Sequence, residues 1–266
     1  MAELRVDPLS GLRTVVGDPG GGWDAGRDQP RPDPLGGGHG EPELFASSPG
    51  AGALELIDHA RALAEQDAGE LGQTLDGWRE RMRAHADAAY VHLAVDEDAP
   101  GPGRARLHAL PFVPAQVARE RERFTAYRER TQGRNLQADL LQAEVRARER
   151  VVAVGAGAVA ICPFASQVPF HVQLLPRAER ARFEDDGPTG ADTLHAVLRG
   201  LGAVLDGPPQ FGLWVRTAPP GATAFCWRID VVPRSGAGDA LAAGAGVHVS
   251  ALAPEEAAAR LRDALQ

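Results

Sequence analysis

The sequence from Gly101 to Pro114, GPGRARLHALPFVP, decides how the rest of the chain is interpreted. It begins with proline and glycine, which are typical of a loop, and continues into apolar residues that predict a strand over residues 105–113. The proline at its end closes the strand, because proline cannot donate to a continuing hydrogen-bond ladder. A second alternating segment, residues 90–95, precedes the loop. The loop therefore joins two predicted strands.

The composition is that of a globular protein with a sizeable core. Of the 266 residues, 44% are hydrophobic, which suits one large domain or two small domains fused together. The net charge of -8 argues against general affinity for nucleic acid or a membrane surface. All 28 basic residues are arginine, so chemistry that needs a lysine, such as a Schiff base or a Walker-type phosphate loop, is excluded.

The two cysteines, Cys162 and Cys226, are far apart and form neither a disulfide framework nor a CxxC metal pair. A reducing compartment is their natural setting. The first residues, MAELRVDPLSG, carry charges where a signal peptide needs an apolar run, and no apolar run reaches the length of a membrane span. We therefore expect a cytoplasmic protein that does not bind membranes.

The first part of the chain is predicted to hold a strand pair, a loop and a long helix. Residues 4–6 and 14–16 flank a turn sequence, and residues 17–50 are rich in glycine and proline, which predicts a flexible loop. A short strand is predicted over residues 54–57. Apolar residues at helical spacing then predict a helix over residues 67–89.

Residues 115–150 are rich in charge and predict two helices that connect the halves of the chain. The second half is predicted to contain several strands and two helices. The strands cover residues 151–154, 159–162, 170–175, 211–215 and 225–232. The helices cover residues 192–205 and the C-terminal segment that starts at Pro254.

The two halves repeat one arrangement, in which a helix is followed by a strand, a Pro/Gly loop, a strand and a proline. The repeat spans 21 positions from Tyr90 to Pro111 and 22 from Phe211 to Pro233. We predict an α+β fold of two fused units, whose antiparallel sheets face each other or run on as one sheet, with helices packed to one side. The predicted divisions are residues 1–114, 115–150 and 151–266.

Six segments, in this order, resemble one known family. They are DPLSG at 7–11, LHALPFVPAQVARERERFTAYRERT at 107–131, ICPFASQVPFHVQLLPRAERARFED at 161–185, FGLWVRTAPP at 211–220, FCWRIDVVPR at 225–234 and APEEAAARLRDAL at 253–265. The family is that of galactose-1-phosphate uridylyltransferase, in the histidine-triad superfamily. The resemblance implies two fused histidine-triad-like units, nucleotidyl transfer between UDP-glucose and a hexose 1-phosphate in galactose metabolism, bound zinc and a homodimer.

The resemblance also implies a catalytic loop, and this chain departs from it there. The family motif is His-Pro-His-x-Gln before the strand, and its second histidine attacks the α-phosphate of the UDP-sugar. Counting back from LHALPFVP, Arg104 stands at the nucleophile position and Arg106 at the glutamine position. A guanidinium is protonated at any working pH and has no lone pair, so Arg104 cannot attack phosphorus. His108 is interpreted as a polar strand residue, and a replacement nucleophile is the alternative.

The structural zinc site implied by the resemblance lacks most of its ligands. The CxxC position reads Asp33-Pro34-Leu35-Gly36, and the fourth ligand position is Pro102. Only His59 keeps a ligand type, with His39 as a further imidazole nearby. One histidine and one aspartate do not make a four-coordinate zinc site, so we predict no zinc here.

The second metal site of the family is also altered. Glu120 matches its glutamate, but the three histidine positions hold Arg216, Cys226 and Arg228. Two cationic side chains at ligand positions repel a metal ion. We therefore predict no cofactor, and we expect Cys226 to be a small buried hydrophobic residue.

The arginines at these positions are the candidate binding residues. Arginine binds phosphate with two parallel hydrogen bonds, so a nucleotide or a sugar phosphate is the candidate ligand. The candidates lie on loops that are equivalent in the two halves, and they are Arg104, Arg106, Arg216 and Arg228. The alternative is that they are solvated or pair with the neighbouring acidic residues Asp96, Glu97 and Asp98.

Three functions follow from these observations. The first is a uridylyltransferase-like protein without transferase activity that still binds a nucleotide or a sugar phosphate. The second is an active uridylyltransferase, which needs a nucleophile for its covalent intermediate. The third is a structural or interaction protein with an empty cleft.

Overall fold

The computed structural model of the chain describes residues 52–97, 103–234, 244 and 248–266, together with the backbone of three short strands before them. These strands are β1 (Glu3–Val6), β2 (Arg13–Val16) and β3 (Ser47–Pro49). They form an antiparallel sheet with β1 in the middle, which confirms the predicted strand pair. The prediction of a flexible loop over residues 17–50 is wrong at Ser47–Pro49, which form the strand β3. The other residues of this range lie outside the described residues.

The main element is one antiparallel sheet of eight strands. In chain order the strands are β4 (Ala53–Asp58), β5 (Tyr90–Glu97), β6 (Arg104–Leu110), β7 (Val151–Val154), β8 (Ala158–Ile161), β9 (Val172–Pro176), β10 (Phe211–Arg216) and β11 (Arg228–Pro233). Their order in the sheet is β4-β6-β5-β10-β11-β9-β8-β7. The central pair, β5 and β10, comes from different halves and places Val95 opposite Leu213. The two halves therefore share one continuous sheet.

Five helices pack against this sheet. They are α1 (Ala68–Ala84), α2 (Ala115–Arg130), α3 (Leu136–Ala147), α4 (Ala191–Val204) and α5 (Pro254–Asp263). Helix α1 begins with a capping box, in which the side chain of Asp67 accepts from the backbone of Glu70 and that of Glu70 accepts from the backbone of Asp67. Helix α1 ends at Ala84, five residues before the predicted end. The antiparallel α+β fold is confirmed.

The main core lies between α1, α4, α5 and one face of the sheet. Val91, Leu93 and Val95 alternate along β5 and point to this face, where they join Leu75 of α1 and Leu198 of α4 in one buried cluster. Each such side chain contributes about 1.5 to 3 kcal/mol when it is fully buried. The period of two in β5 therefore fixes which face of the sheet these helices cover.

The opposite face of the sheet, which we call the second face, is covered by α2 and α3 over the C-terminal strands. Leu141 of α3 packs there with Val159, Ile161 and Leu175. Phe124 of α2 packs on Phe225, with ring centroids 4.9 Å apart. In the described part of the chain no helix is both long and apolar enough to cross a bilayer.

Two strand predictions in the second half began too early. The strand predicted from residue 170 begins at Val172, because Phe170 has a φ of 60°, which a strand does not accommodate. The strand predicted from residue 225 begins at Arg228. The residues before it, Phe225 and Cys226, pack in a small cluster with Phe124 instead of entering the sheet ladder.

Candidate functional site

The two arginines at the predicted catalytic loop lie on the second face of β6. Arg104 is its first residue, and its Nε donates to Oδ1 of Asp58 on β4 at 2.6 Å. Arg106 donates through Nη2 to Oδ2 of Asp96 on β5 at 2.7 Å. Register explains both pairs, because Asp58 lies opposite Arg104, and Asp96 and Arg106 are diagonal neighbours on adjacent strands.

Asp96 also accepts a hydrogen bond from Nη2 of Arg234 at 3.0 Å. Three guanidiniums, those of Arg104, Arg106 and Arg234, therefore meet two carboxylates, those of Asp58 and Asp96. The side chains are between 36% and 73% exposed. The surface is accordingly open to solvent, and Arg106 and Arg234 share the carboxylate of Asp96.

Two histidines face each other further along the same strands. His108 of β6 lies opposite His92 of β5, and their ring centroids are 6.5 Å apart. Burial, followed by Arg216 and His108, lowers the pKa of His92 to about 4. Burial and then Arg106 lower the pKa of His108. Both imidazoles are therefore neutral at neutral pH, and the ring of Tyr90 stacks on His92 at 6.4 Å.

The two candidate arginines of the second half are buried and share one carboxylate. Glu120 of α2 accepts hydrogen bonds from Nη1 and from Nη2 of Arg228, the latter at 3.3 Å. Its Oε2 also lies 3.6 Å from Nε of Arg216. Burial opposes the charge on Arg228, but Asp230 and Glu120 outweigh it and raise the pKa of Arg228. These guanidiniums are already neutralised within the protein.

Asp230 completes this network. It lies two residues after Arg228 on the same face of β11. It accepts from Nε of Arg228 at 3.1 Å and from Nε2 of Gln173 at 2.8 Å, and its Oδ1 lies 3.2 Å from Nε2 of His171. Burial tends to raise the pKa of Asp230, but Arg228 and the hydrogen bonds from His171 and Gln173 bring it down to about 2. The carboxylate is therefore charged at neutral pH.

The structure does not bring the four candidate arginines together. Arg104 follows the loop after β5 at one end of the sheet, whereas Arg216 and Arg228 pair with each other at the other end of β10 and β11. The register places Arg104 level with Asp96 and Arg216 level with His92. These two levels are four residues apart, about 13 Å along the strands. Arg104 and Arg106 form one site, and Arg216 and Arg228 belong to another.

His59, which the resemblance aligns with a zinc ligand, is buried. Nε2 of His59 accepts a hydrogen bond from Nε1 of Trp78 at 3.1 Å, whereas Nδ1 is buried and makes no hydrogen bond within the described residues. Burial lowers the pKa of His59, against the opposing effect of Asp58. The other positions aligned with zinc ligands, residues 33–36 and Pro102, lie outside the described residues, as does His39.

The described residues do not fit a metal site. Nowhere in the described ranges do three or more histidine, cysteine, aspartate or glutamate side chains come close enough together to hold an ion. At the second site, Glu120 is bound to arginine. Cys226 is 2% exposed in the cluster with Phe124, as expected for a small hydrophobic residue, and burial raises the pKa of its thiol to about 11.

Among the residues of these networks that sequence reasoning missed are His92, Asp230 and Asp58. His92 lies between the apolar residues of β5, and alternation with Val91 and Leu93 was a usable signal that it faces the same way as His108. Asp230 alternates in the same way within β11. Asp58 gave no such signal, because its pairing with Arg104 spans 46 residues and depends on strand order.

Comparison with known proteins relates this architecture to one family. No family model matches the chain. A galactose-1-phosphate uridylyltransferase of Cryptococcus neoformans var. neoformans serotype D is 30% identical over 166 residues, 54% of this chain and 43% of that protein. An ADP-glucose phosphorylase of Arabidopsis thaliana is 22% identical over 227 residues, 79% of this chain and 63% of that protein. The match thus spans less than two thirds of either relative.

A solved uridylyltransferase structure superposes with a TM-score of 0.81 and 18% identity, covering 99% of this chain and 98% of that chain. At this identity the superposition establishes the fold. The chain is therefore similar in sequence to galactose-1-phosphate uridylyltransferases and to an ADP-glucose phosphorylase, and it shares the fold of a solved uridylyltransferase, in agreement with its sequence motifs.

Proposed function

We propose that this protein is a uridylyltransferase-like protein that lacks transferase activity and binds a nucleotide or a sugar phosphate through Arg104 and Arg106. The observation that carries the proposal is the position of Arg104. It stands where the family has its nucleophilic histidine, and its guanidinium is bound to Asp58 at 2.6 Å. The site keeps a phosphate-binding group and has no nucleophile there.

The loss of transfer follows from the covalent mechanism that the resemblance implies. A uridylyl intermediate requires a side chain with a free lone pair at the α-phosphate, and arginine has none. The neutral imidazole of His108 is four residues along the strand, about 13 Å from the position of Arg104. His108 therefore does not stand at the nucleophile position, and it lies opposite His92 in the strand register, so we keep its interpretation as a polar strand residue.

Binding of phosphate is compatible with the ion pairs at this site. Pairs between half-exposed groups contribute about 0 to 1 kcal/mol, so an anionic ligand can replace the carboxylates as partners. Arg104 and Arg106 lie two residues apart on one face of β6, so one anionic ligand can reach both guanidiniums. Arg216 and Arg228 are left out of the proposed site, because Glu120 and Asp230 together neutralise them inside the protein.

The third candidate, a structural or interaction protein, is favoured by one specific observation. Each candidate arginine already has a carboxylate within 4 Å. If these pairs persist in the presence of phosphate ligands, the cleft has no inherited ligand. Cytoplasmic location and a homodimer belong to the proposal as expectations from composition and family.

The proposal is tested by calorimetric titration with UMP, UDP-glucose and glucose 1-phosphate, and by incubation with UDP-glucose labelled at the α-phosphate. We expect saturable heat with at least one ligand and no covalent label. The double variant R104Q/R106Q should lose at least tenfold in affinity. The control R130Q/R199Q, which removes two exposed guanidiniums elsewhere, should keep it.

The outcomes separate the three functions. Covalent label on any residue contradicts the loss of transferase activity and supports an active enzyme. Absence of heat with all three ligands contradicts the binding site and leaves the interaction protein. Equal affinities in R104Q/R106Q and the control would show that a bound ligand uses some other site.

A further inference from the structure

A cavity of about 550 Å³ lies under α2 and α3 on the second face, and Arg104 is not among its lining residues. It separates two small apolar clusters. One contains Phe124 of α2 with Leu136 packed against it, and the other contains Ile161 and Leu175 of the sheet. Residues from both clusters line the cavity, so the helices stand off from the sheet and leave space between them. This volume is typical of small-molecule sites.

One part of the cavity wall is apolar and open to solvent. Phe164, after β8, is 76% exposed, and Leu140 of α3 is 56% exposed. The guanidinium of Arg150 lies 5.1 Å from the centre of the Phe164 ring and so orients it. An exposed phenylalanine held beside exposed and buried leucines is suited to stack against a flat apolar ligand.

The opposite rim is cationic. Gln116, Arg119 and Arg123 are spaced i, i+3, i+7 along α2, so they form one stripe that lines the cavity. Neither Arg119 nor Arg123 has an ion pair or a side-chain hydrogen bond within the described residues, unlike most arginines of this chain. Two guanidiniums are therefore available to a ligand.

The acidic residues of the lining do not cancel this charge. Glu120 is bound to Arg228 and lies near Arg216. Glu144 accepts two hydrogen bonds from Nε and Nη2 of Arg150, at 3.1 and 2.9 Å. Both carboxylates are thus neutralised by their own arginine partners. The charged side chains of the lining that have no ion pair within the described residues are those of Arg119 and Arg123.

We propose that this cavity binds an organic anion with an aromatic body, whose ring packs against Phe164 and Leu140 and whose acidic group binds Arg119 and Arg123. The apolar wall and the cationic rim face one space, which matches the two ends of such a molecule. Charge-assisted hydrogen bonds to guanidinium orient the acidic group, and stacking holds the ring. The site is separate from the one formed by Arg104 and Arg106 and does not depend on the proposed function.

The test uses 1-anilinonaphthalene-8-sulfonate, an aromatic sulfonate whose fluorescence rises on binding, with the full chain. Its matched neutral probe is N-phenyl-1-naphthylamine, which has the same rings without the sulfonate. We expect saturable binding of one sulfonate per chain, with at least tenfold higher affinity than the neutral probe. Loss of two charge-assisted hydrogen bonds should weaken sulfonate binding at least tenfold in R119Q/R123Q.

Two further variants locate the bound probe. F164S, at an exposed position, should weaken both probes, whereas the control R130Q/R146Q, which removes two exposed guanidiniums elsewhere on the same helices, should change neither. Thermal unfolding midpoints establish that all variants fold. Absence of saturable sulfonate binding, or equal affinity in R119Q/R123Q and R130Q/R146Q, overturns the proposal. An unchanged affinity for both probes in F164S overturns it as well.

Discussion

Glu120 of α2 holds both terminal nitrogens of Arg228 on β11, across 108 residues of sequence. The same carboxylate lies 3.6 Å from Nε of Arg216. The pairing anchors a helix of the connecting segment to a strand of the C-terminal half. It also explains why two cationic side chains can lie side by side under α2.

We expect Glu120→Gln to destabilise the protein strongly. It leaves two buried guanidiniums without their shared carboxylate, and breaking a buried pair in this way costs about 3 to 5 kcal/mol. The free energy of unfolding is measured by urea titration. Glu122→Gln is the control, because Glu122 is exposed on the same helix. Equal stability of the two variants would mean that Arg216 and Arg228 do not need Glu120.

Asp230 should contribute to loss of stability in acid. Its pKa falls from an ordinary value of 3.8 to about 2 in the folded protein. The contribution is therefore present above pH 4 and is lost as the pH falls from about 4 to about 2, roughly 2 kcal/mol in all. Unfolding free energies measured over this range should fall less steeply in Asp230→Asn than in the unchanged chain. The exposed Asp87→Asn control should leave the slope unchanged.

His92 should lower the free energy of unfolding as the pH falls from about 6.5 to about 4, which is above the range in which Asp230 acts. Its pKa is lowered from 6.5 to about 4, because burial, followed by the charges of Arg216 and His108, disfavours the protonated ring. Between pH 6.5 and 4, His92 is protonated in the unfolded chain but stays neutral in the folded protein. Stability therefore declines between about pH 6.5 and 4, by roughly 3 kcal/mol.

The variant His92→Gln should flatten this decline in unfolding free energy, whereas His248→Gln, at an exposed position, should not. His108 contributes in the same direction, because its pKa is also lowered. A decline of the same size in His92→Gln and in the unchanged chain would assign the effect to other groups.

Both thiols should be unreactive in the folded protein. Burial raises the pKa of Cys162 to about 12 and that of Cys226 to about 11, and reaction requires an exposed thiolate. We expect no reaction with 5,5′-dithiobis(2-nitrobenzoate) at pH 8 under native conditions, and two equivalents in denaturant. Fast release of one equivalent from the native chain would contradict the burial of one thiol.

Much of the fold was predictable because its signals are local. The alternation of β5, the helical spacing of α1 and the charged helices α2 and α3 each depend on neighbours a few residues apart. Their boundaries were less accurate. The strand β9 starts late because Phe170 takes a left-handed conformation, and nothing in the surrounding residues indicates this.

The candidate site was predictable only in part. The pairing of Arg106 with Asp96 follows from nearness in sequence, and it was foreseen as the alternative to phosphate binding. Glu97 was also named as a partner, but alternation turns it to the other face, where it accepts from the backbone N–H of Leu63 at 3.3 Å. The third acidic residue, Asp98, lies outside the described residues.

The sequence by itself determined that Arg104 cannot act as a nucleophile, since the chemistry of guanidinium does not depend on its surroundings. It also indicated the resemblance to uridylyltransferases, most of the order of elements and the absence of lysine chemistry. Only the tertiary structure decided which charges meet. Asp58 reaches Arg104, and Glu120 reaches Arg216 and Arg228, because strand order and helix packing bring together residues that are 46, 96 and 108 positions apart. The cavity beside Arg119 and Arg123 exists for the same reason, since it is the space left where two helices and a sheet do not close.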